Sequence, residues 1–371
     1  MLNFRYLYIF LSCSCAALAA HAAGRDITPT KDGQVIEVLL PRIRSFAVTP
    51  EAAAIAAKQA ITLAREKADS RYLGRAQATL QKWWDAPTAP VELAVLQATI
   101  HQGRHEFSAA RRVLDAALKR DPSHAQGWLT LATLERLAGN YPAALTACQA
   151  VQQAGAVLYA RTCELETWSL QGQHAAARGG FELLRRQTTS PAVQGWLLSL
   201  SAENDERAGL DAQAIKAYQT SLALAPDTYT AIAATDALLR NLRIEEAIKI
   251  LATQPDSDAV LLRKAYAMKL QNNPAWQTVT VQIQERLDAL DQRGDDPASH
   301  ARERALLHVW LTGDGRRALQ SAQLNLTLQK EPFDWWLAIK SAQLAGDKTQ
   351  VETLKRAASV TGLRDARLAK I

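Results

Sequence analysis

A small residue recurs along this chain at a nearly fixed interval, and no other feature constrains the fold as strongly. Ala110, Ala144, Ala177, Ala214 and Ala247 are spaced 34, 33, 37 and 33 residues apart. Each is followed four positions later by a larger residue: Leu114, Cys148, Phe181, Tyr218 and Leu251. That spacing puts both members on one face of a helix. A turn glycine recurs alongside, at Gly139, Gly172, Gly209, Gly313 and Gly346, and prolines that end helices close several units, at Pro122, Pro226 and Pro255. The chemistry is packing. The small residue lets two helices approach, the large one fills the space between them, and glycine lets the turn take a positive φ. Self-similarity at this period marks stacked helix pairs, each packed only on its neighbours. Stacking also accommodates 371 residues, which exceed one ordinary compact core.

The best single unit is Gly127-Trp128-Leu129-Thr130-Leu131-Ala132, then Gly139-Asn140-Tyr141, then Ala144 and Cys148. These residues resemble the tetratricopeptide repeat (TPR) family, whose pattern has Trp, Leu and a small residue on the first helix and a small residue with an aromatic on the second. The resemblance implies an all-α chain, a right-handed α-solenoid of TPR-like helix pairs with a short N-terminal extension. The pairs are expected at 51–84, 91–120, 125–153, 157–187, 193–225, 228–253, 258–293, 299–330 and 332–362. The first and the last three fit the pattern poorly, as terminal repeats do when they present a more polar face. A narrower resemblance, carried by Tyr72-Leu73-Gly74-Arg75-Ala76-Gln77-Ala78, Trp83-Trp84, Ala259-Val260-Leu261-Leu262-Arg263 and Gln329-Lys330-Glu331-Pro332, is to exported bacterial TPR proteins. It implies an architecture and no activity.

The N-terminus reads as an address. Arg5 precedes the apolar run Tyr6 to Leu11, small residues fill 16–23, and Ala20-His21-Ala22 suits signal peptidase. Residues 1–22 are therefore expected to be a cleaved signal, 23–50 an extension and 51–371 the solenoid. A lipoprotein acylated at Cys13 or Cys15 is the alternative, although the apolar run before Cys13 is short for one. Val35 to Leu40 could form a strand or an extended arm. Either address places the mature chain outside the cytoplasm, in the periplasm if the source is bacterial.

The formal charge is +6, with acids and bases interspersed and no basic block beside an aromatic platform, so nucleic acid is not the expected partner. Beyond the N-terminus no apolar run is long enough to span a membrane. No phosphate loop, nucleophile elbow or Cys-x-x-Cys occurs, so neither an enzyme nor a cofactor is expected. His101 and His105 are four apart, but Gly103 and Arg104 intervene and no third ligand suggests itself; they read as turn and surface histidines, and no metal is expected. Glu203, Asp205 and Glu206 beside Arg207 read as a solvated, self-paired helix face.

In the family the first helix of each pair lines a concave groove that holds a peptide or a partner helix. Carried onto this chain, the groove-facing residues are Arg136, Tyr159, Glu166, Trp196, Glu203, Tyr229, Asp236 and Arg240, with Tyr266, Trp310 and Trp336 extending the row. Arginines and aromatics are common binding hot spots. The expected function is a periplasmic scaffold or adaptor binding a protein or peptide in this groove. The alternative is a cell-wall glycan-binding protein or hydrolase, which carboxylates from different repeats converging in one pocket would favour. Finally, Cys148 and Cys163 lie about equally far from a turn near Gly155, on antiparallel helices rising about 1.5 Å per residue. In an oxidising compartment they are expected to form a disulfide, unless Cys163 is turned aside.

Overall fold

The structure is a computed structural model that describes residues 49–371. The signal, lipidation and strand expectations fall outside the described residues.

The repeat pattern becomes nine successive helix pairs. They are α1 (Pro50–Lys67) with α2 (Arg71–Leu80), α3 (Val91–Gly103) with α4 (Phe107–Arg120), α5 (Ala125–Leu137) with α6 (Tyr141–Gln153), and α7 (Val157–Leu170) with α8 (His174–Arg186). Then come α9 (Pro191–Arg207) with α10 (Asp211–Leu224), α11 (Thr228–Arg240) with α12 (Ile244–Leu251), and α13 (Asp258–Leu270) with α14 (Trp276–Gln292). The last are α15 (Ala301–Leu306) with α16 (Gly315–Leu328) and α17 (Pro332–Leu344) with α18 (Lys348–Val360), followed by the short α19 (Ala366–Ala369). There is no strand among the described residues. The stack is an all-α solenoid. Past Leu306, the first helix of the eighth pair widens into a π-helical turn over Leu307–Thr312 that ends at Gly313.

The five recurrent alanines are fully buried, and their large partners are no more than 1% exposed. Capping sharpens several helix starts. Ser190, Asp227, Ser257, Asp314 and Asp347 each accept a hydrogen bond from an amide of the first turn, satisfying donors that a helix end leaves unpaired. Gly139, Gly172 and Gly209 take φ of +75°, +87° and +77° in the turn between the helices of a pair. Four other pairs make the same turn with Ala68, His105, Leu242 and Asn272, at +48°, +61°, +56° and +56°.

The stack turns back on itself, which no repeat spacing announces. The Lys330 amide donates to the Leu137 carbonyl at 2.7 Å, and the Arg364 amide donates to the Leu170 carbonyl at 2.8 Å. Those carbonyls end α5 and α7, where a helix leaves acceptors unpaired. One repeat further on, Arg367 pairs with Glu206 near the end of α9. Tyr141 and Leu170 belong to the same buried cluster as Leu337, Leu354 and Leu363, so an apolar core runs across the closure. The poor fit of the last two repeats to the family pattern therefore reflects a contact surface as much as a polar cap.

Candidate functional site

A cavity of about 410 Å³ lies on the faces of the first helices of the third to fifth pairs. Each helix contributes equivalent positions, spaced 0, 4 and 7, on one face. In α5 they are Leu129, Thr133 and Arg136; in α7, Tyr159, Cys163 and Glu166; in α9, Trp196, Leu200 and Glu203. Tyr229 of α11 continues the aromatic row, and Glu331 with Pro332 bounds the cavity from the returning C-terminal repeat.

Six of the eight groove residues expected from the sequence line this one cavity: Arg136, Tyr159, Glu166, Trp196, Glu203 and Tyr229. Asp236 and Arg240, the equivalents of Glu203 and Arg207 one repeat on, lie beyond it and are held in ion pairs. Arg263 donates to both Asp236 oxygens, at 2.8 and 2.6 Å, and Arg240 pairs with Glu206. The aromatic row does not extend as expected. Trp310 is buried and stacks on Tyr266 with ring centroids 4.9 Å apart, while Trp336 packs on Phe333 at 5.4 Å. These rings fill space between helices.

Charge in the cavity is organised in pairs. Arg136 Nη2 lies 3.3 Å from Glu166 Oε2 and donates to Thr133 Oγ1 at 3.2 Å, while Nη1 reaches Cys163 Sγ at 3.4 Å. Arg207 joins Glu203 at 3.2 Å and donates to Ser169 Oγ at 3.0 Å. Tyr229 donates its hydroxyl to Glu203 at 2.8 Å, and the charge of Glu203 beside it pushes that phenol well above its usual range. Glu331 is held by Arg302 at 2.5 Å. Burial pushes Glu166 above the usual carboxylate range against the pull of Arg136, and the neighbouring Glu203 charge adds to the rise.

The acidic cluster is not a solvated face. Asp205, Glu206 and Arg207 are buried, because the closure and the second helices cover that side of α9. Arg178 donates to Asp205 at 2.8 Å. Tyr218 donates to Glu206 at 2.7 Å, and Arg240 and Arg367 approach the same carboxylate. Only the Glu203–Arg207 pair is internal to the helix. The histidines separate as well. His101 contacts Gln97 and Glu106, while His105 makes the α3–α4 turn and lines a second cavity of about 460 Å³. Both are largely covered, so the surface expectation fails for them. Among the described residues no group of three or more His, Cys, Asp or Glu is placed to hold a metal ion, and no helix is long and apolar enough to cross a membrane.

Cys148 of α6 and Cys163 of α7 form the expected disulfide, with Cα atoms 5.6 Å apart. Cys163 is not turned aside, and it forms part of the cavity floor. What the sequence reading missed is Arg207 as a cavity residue and the boundary drawn by Glu331. Arg207 had a signal, since it is the repeat-equivalent of the chosen Arg240; Glu331 had none.

Comparison with known proteins agrees with this architecture. The tetratricopeptide repeat family matches residues 95–157. Among curated proteins, none matches the chain by sequence. The structure of a Rap protein complexed with competence and sporulation factor is similar over 88% of this chain and 89% of that one, with a TM-score of 0.55 and 10% identity. A human IFIT1 dimer with PPP-AAAA covers 84% of this chain and 72% of its own, at a TM-score of 0.47 and 11% identity. The TPR domain of P58(IPK) covers 86% and 95%, at 0.26 and 12%. Residues 95–157 match the tetratricopeptide repeat, and the helix pairs on either side of that segment continue an all-α solenoid of the same kind.

Proposed function

We propose that this chain is an exported scaffold or adaptor that holds a segment of a partner polypeptide at the cavity of the third to fifth repeats. One observation carries the reading. Three successive first helices present equivalent positions to a single concavity, and the lining combines exposed aromatic rings with paired charges. Such a row suits an extended chain, whose successive side chains meet successive repeats. The likeness to a Rap protein complexed with a factor is consistent in fold and no more. Export is supported by the N-terminal residue pattern and by the Cys148–Cys163 bridge, since disulfides persist in oxidising compartments.

A photo-crosslinking amino acid at Tyr159 in the full chain tests the reading. The expected result is a crosslink to one polypeptide segment, lost when Trp196 is replaced by Ala. A chain that stays in the cytoplasm, or crosslinks scattered over unrelated sequences, would sink it.

The glycan reading has an observation in its favour: Glu166, Glu203 and Glu331, from different repeats, line one cavity. Two carboxylates working as acid and base must both be available to substrate. Glu203 is committed to Arg207 and Tyr229, and Glu331 to Arg302, which leaves Glu166. Incubation with purified cell-wall glycan, followed by mass spectrometry of soluble products, separates the readings: sugar release lost in Glu166→Gln would establish the glycan one.

A further inference from the structure

The charged groups of the cavity are not equally engaged. Arg136 reaches Glu166, Thr133 and Cys163. Arg207, Glu203 and Glu331 each have hydrogen-bonded partners. Glu166 differs. Among the described residues it has one ion pair, at 3.3 Å to Arg136 through Oε2, and no hydrogen bond. Its side chain is 23% exposed, and that exposure faces the cavity it lines. A carboxylate partly removed from water and short of donors favours a ligand that brings a donor, most of all a charged one.

The surrounding rings suit the same ligand. Tyr159 is 45% exposed and Tyr229 62%, and the Tyr159 and Trp196 rings meet at 5.8 Å with a 38° tilt. Tyrosine and tryptophan faces attract cations within about 6 Å. Because Oε2 already faces Arg136, a single oxygen is left for the incoming group. That suits a compact ammonium, a point charge with rotatable donors, better than a guanidinium, whose planar fork prefers both oxygens. A four-carbon stem can lie against the rings while its head reaches the acid.

We propose that the cavity is a specificity pocket for one lysine side chain of the bound polypeptide, with Glu166 taking the ammonium and Tyr159, Trp196 and Tyr229 enclosing the stem. This rests on the polypeptide-binding reading above.

The test is calorimetric titration of the full chain with N-acetylated, C-amidated decapeptides from a library in which lysine is scanned through every position. The best binder is then remade with norleucine, arginine or Nε-acetyl-lysine at that lysine. Each replacement is expected to weaken binding at least tenfold against the wild-type chain. Glu166→Gln is expected to weaken the lysine peptide at least tenfold and to bring the norleucine peptide level with it. That comparison depends on the ligand, so it holds even if the variant is less soluble. Equal binding of lysine and norleucine peptides would overturn the lysine pocket while the polypeptide-binding reading stands. If no library member binds, both are overturned. If 1,5-diaminopentane binds as tightly as the best peptide, the pocket takes a free amine and the lysine assignment falls.

Discussion

Leu242 occupies the turn between α11 and α12 at φ +56°, with 73% of its surface exposed. A side chain there costs roughly 1–2 kcal/mol relative to glycine, offset by about 0.5–1 kcal/mol of chain entropy that glycine would lose on folding. Leu242→Gly is therefore expected to stabilise the fold by up to about 1 kcal/mol, read as a higher urea midpoint at unchanged slope. The urea midpoint falling would show that the leucine makes a contact worth more than its strain. Glu166 makes a second residue-scale prediction. Its native carboxyl is held above the ordinary value of 4.5 by burial. A raised acid binds its proton more tightly when folded, so stability falls as pH climbs from that value through the native one, then levels off. Glu166→Gln removes the titration. Its melting temperature should match the wild type near pH 4 and exceed it at pH 7, so the carboxylate is kept at a cost to stability.

At the scale of the element, the disulfide joins the second helix of one pair to the first helix of the next, closing a loop of 15 residues. Removing such a bridge costs roughly 3 kcal/mol in the chain-entropy account. Cys148→Ser with Cys163→Ser should lower the melting temperature, and reductant should then have no further effect on the variant. An unchanged melting temperature would mean that the closure already restrains these helices. The bridge was legible in the sequence because it depends on a local hairpin: two helices, one turn, and a rise per residue that sets both cysteines at one height. The same locality made the alanine positions, their large partners and the glycine turns readable, and it put Tyr159, Glu166, Trp196 and Glu203 on one face. Four turns escaped that reading because Ala68, His105, Leu242 and Asn272 take the glycine conformation without being glycine. Asp205 and Glu206 were misread for a different reason. Their side of α9 is polar in sequence, and what buries it arrives from Arg178, Arg240 and, about 160 residues away, Arg367.

For the whole described stack, the closure decides how the groove is presented, and it depends on two turn glycines for a second reason besides φ. A Cβ built on Gly172 would lie 2.9 Å from Arg364 Cβ, and one on Gly139 would lie 3.3 Å from Thr361. Gly155 also has a positive φ, +83°, but a Cβ there would meet nothing within 4 Å. The pair Gly172→Ala and Gly155→Ala thus separates two effects. Both carry the left-handed penalty of roughly 1–2 kcal/mol, and only the first also pushes against the returning segment. Hydrogen exchange should resolve them. The Arg364 amide, which donates to Leu170 at 2.8 Å, should exchange faster in Gly172→Ala by more than the global destabilisation explains, and in Gly155→Ala only in proportion to it. Acid should open the same contact. Burial pushes the Asp365 carboxyl up, but the Arg367 guanidinium, 2.6 Å away, outweighs it and holds the group below its ordinary value of 3.8. A depressed acid contributes stability that is fully present above its unfolded value and is lost as pH falls through the native one. Exchange at Arg364 should therefore be slow and steady, after correction for intrinsic rates, from neutral pH down to about 4, and rise below it. Asp365→Asn should show the raised rate at every pH. If Gly172→Ala and Gly155→Ala behave alike, and the Arg364 amide is indifferent to acid, the C-terminal segment does not hold the groove closed in solution.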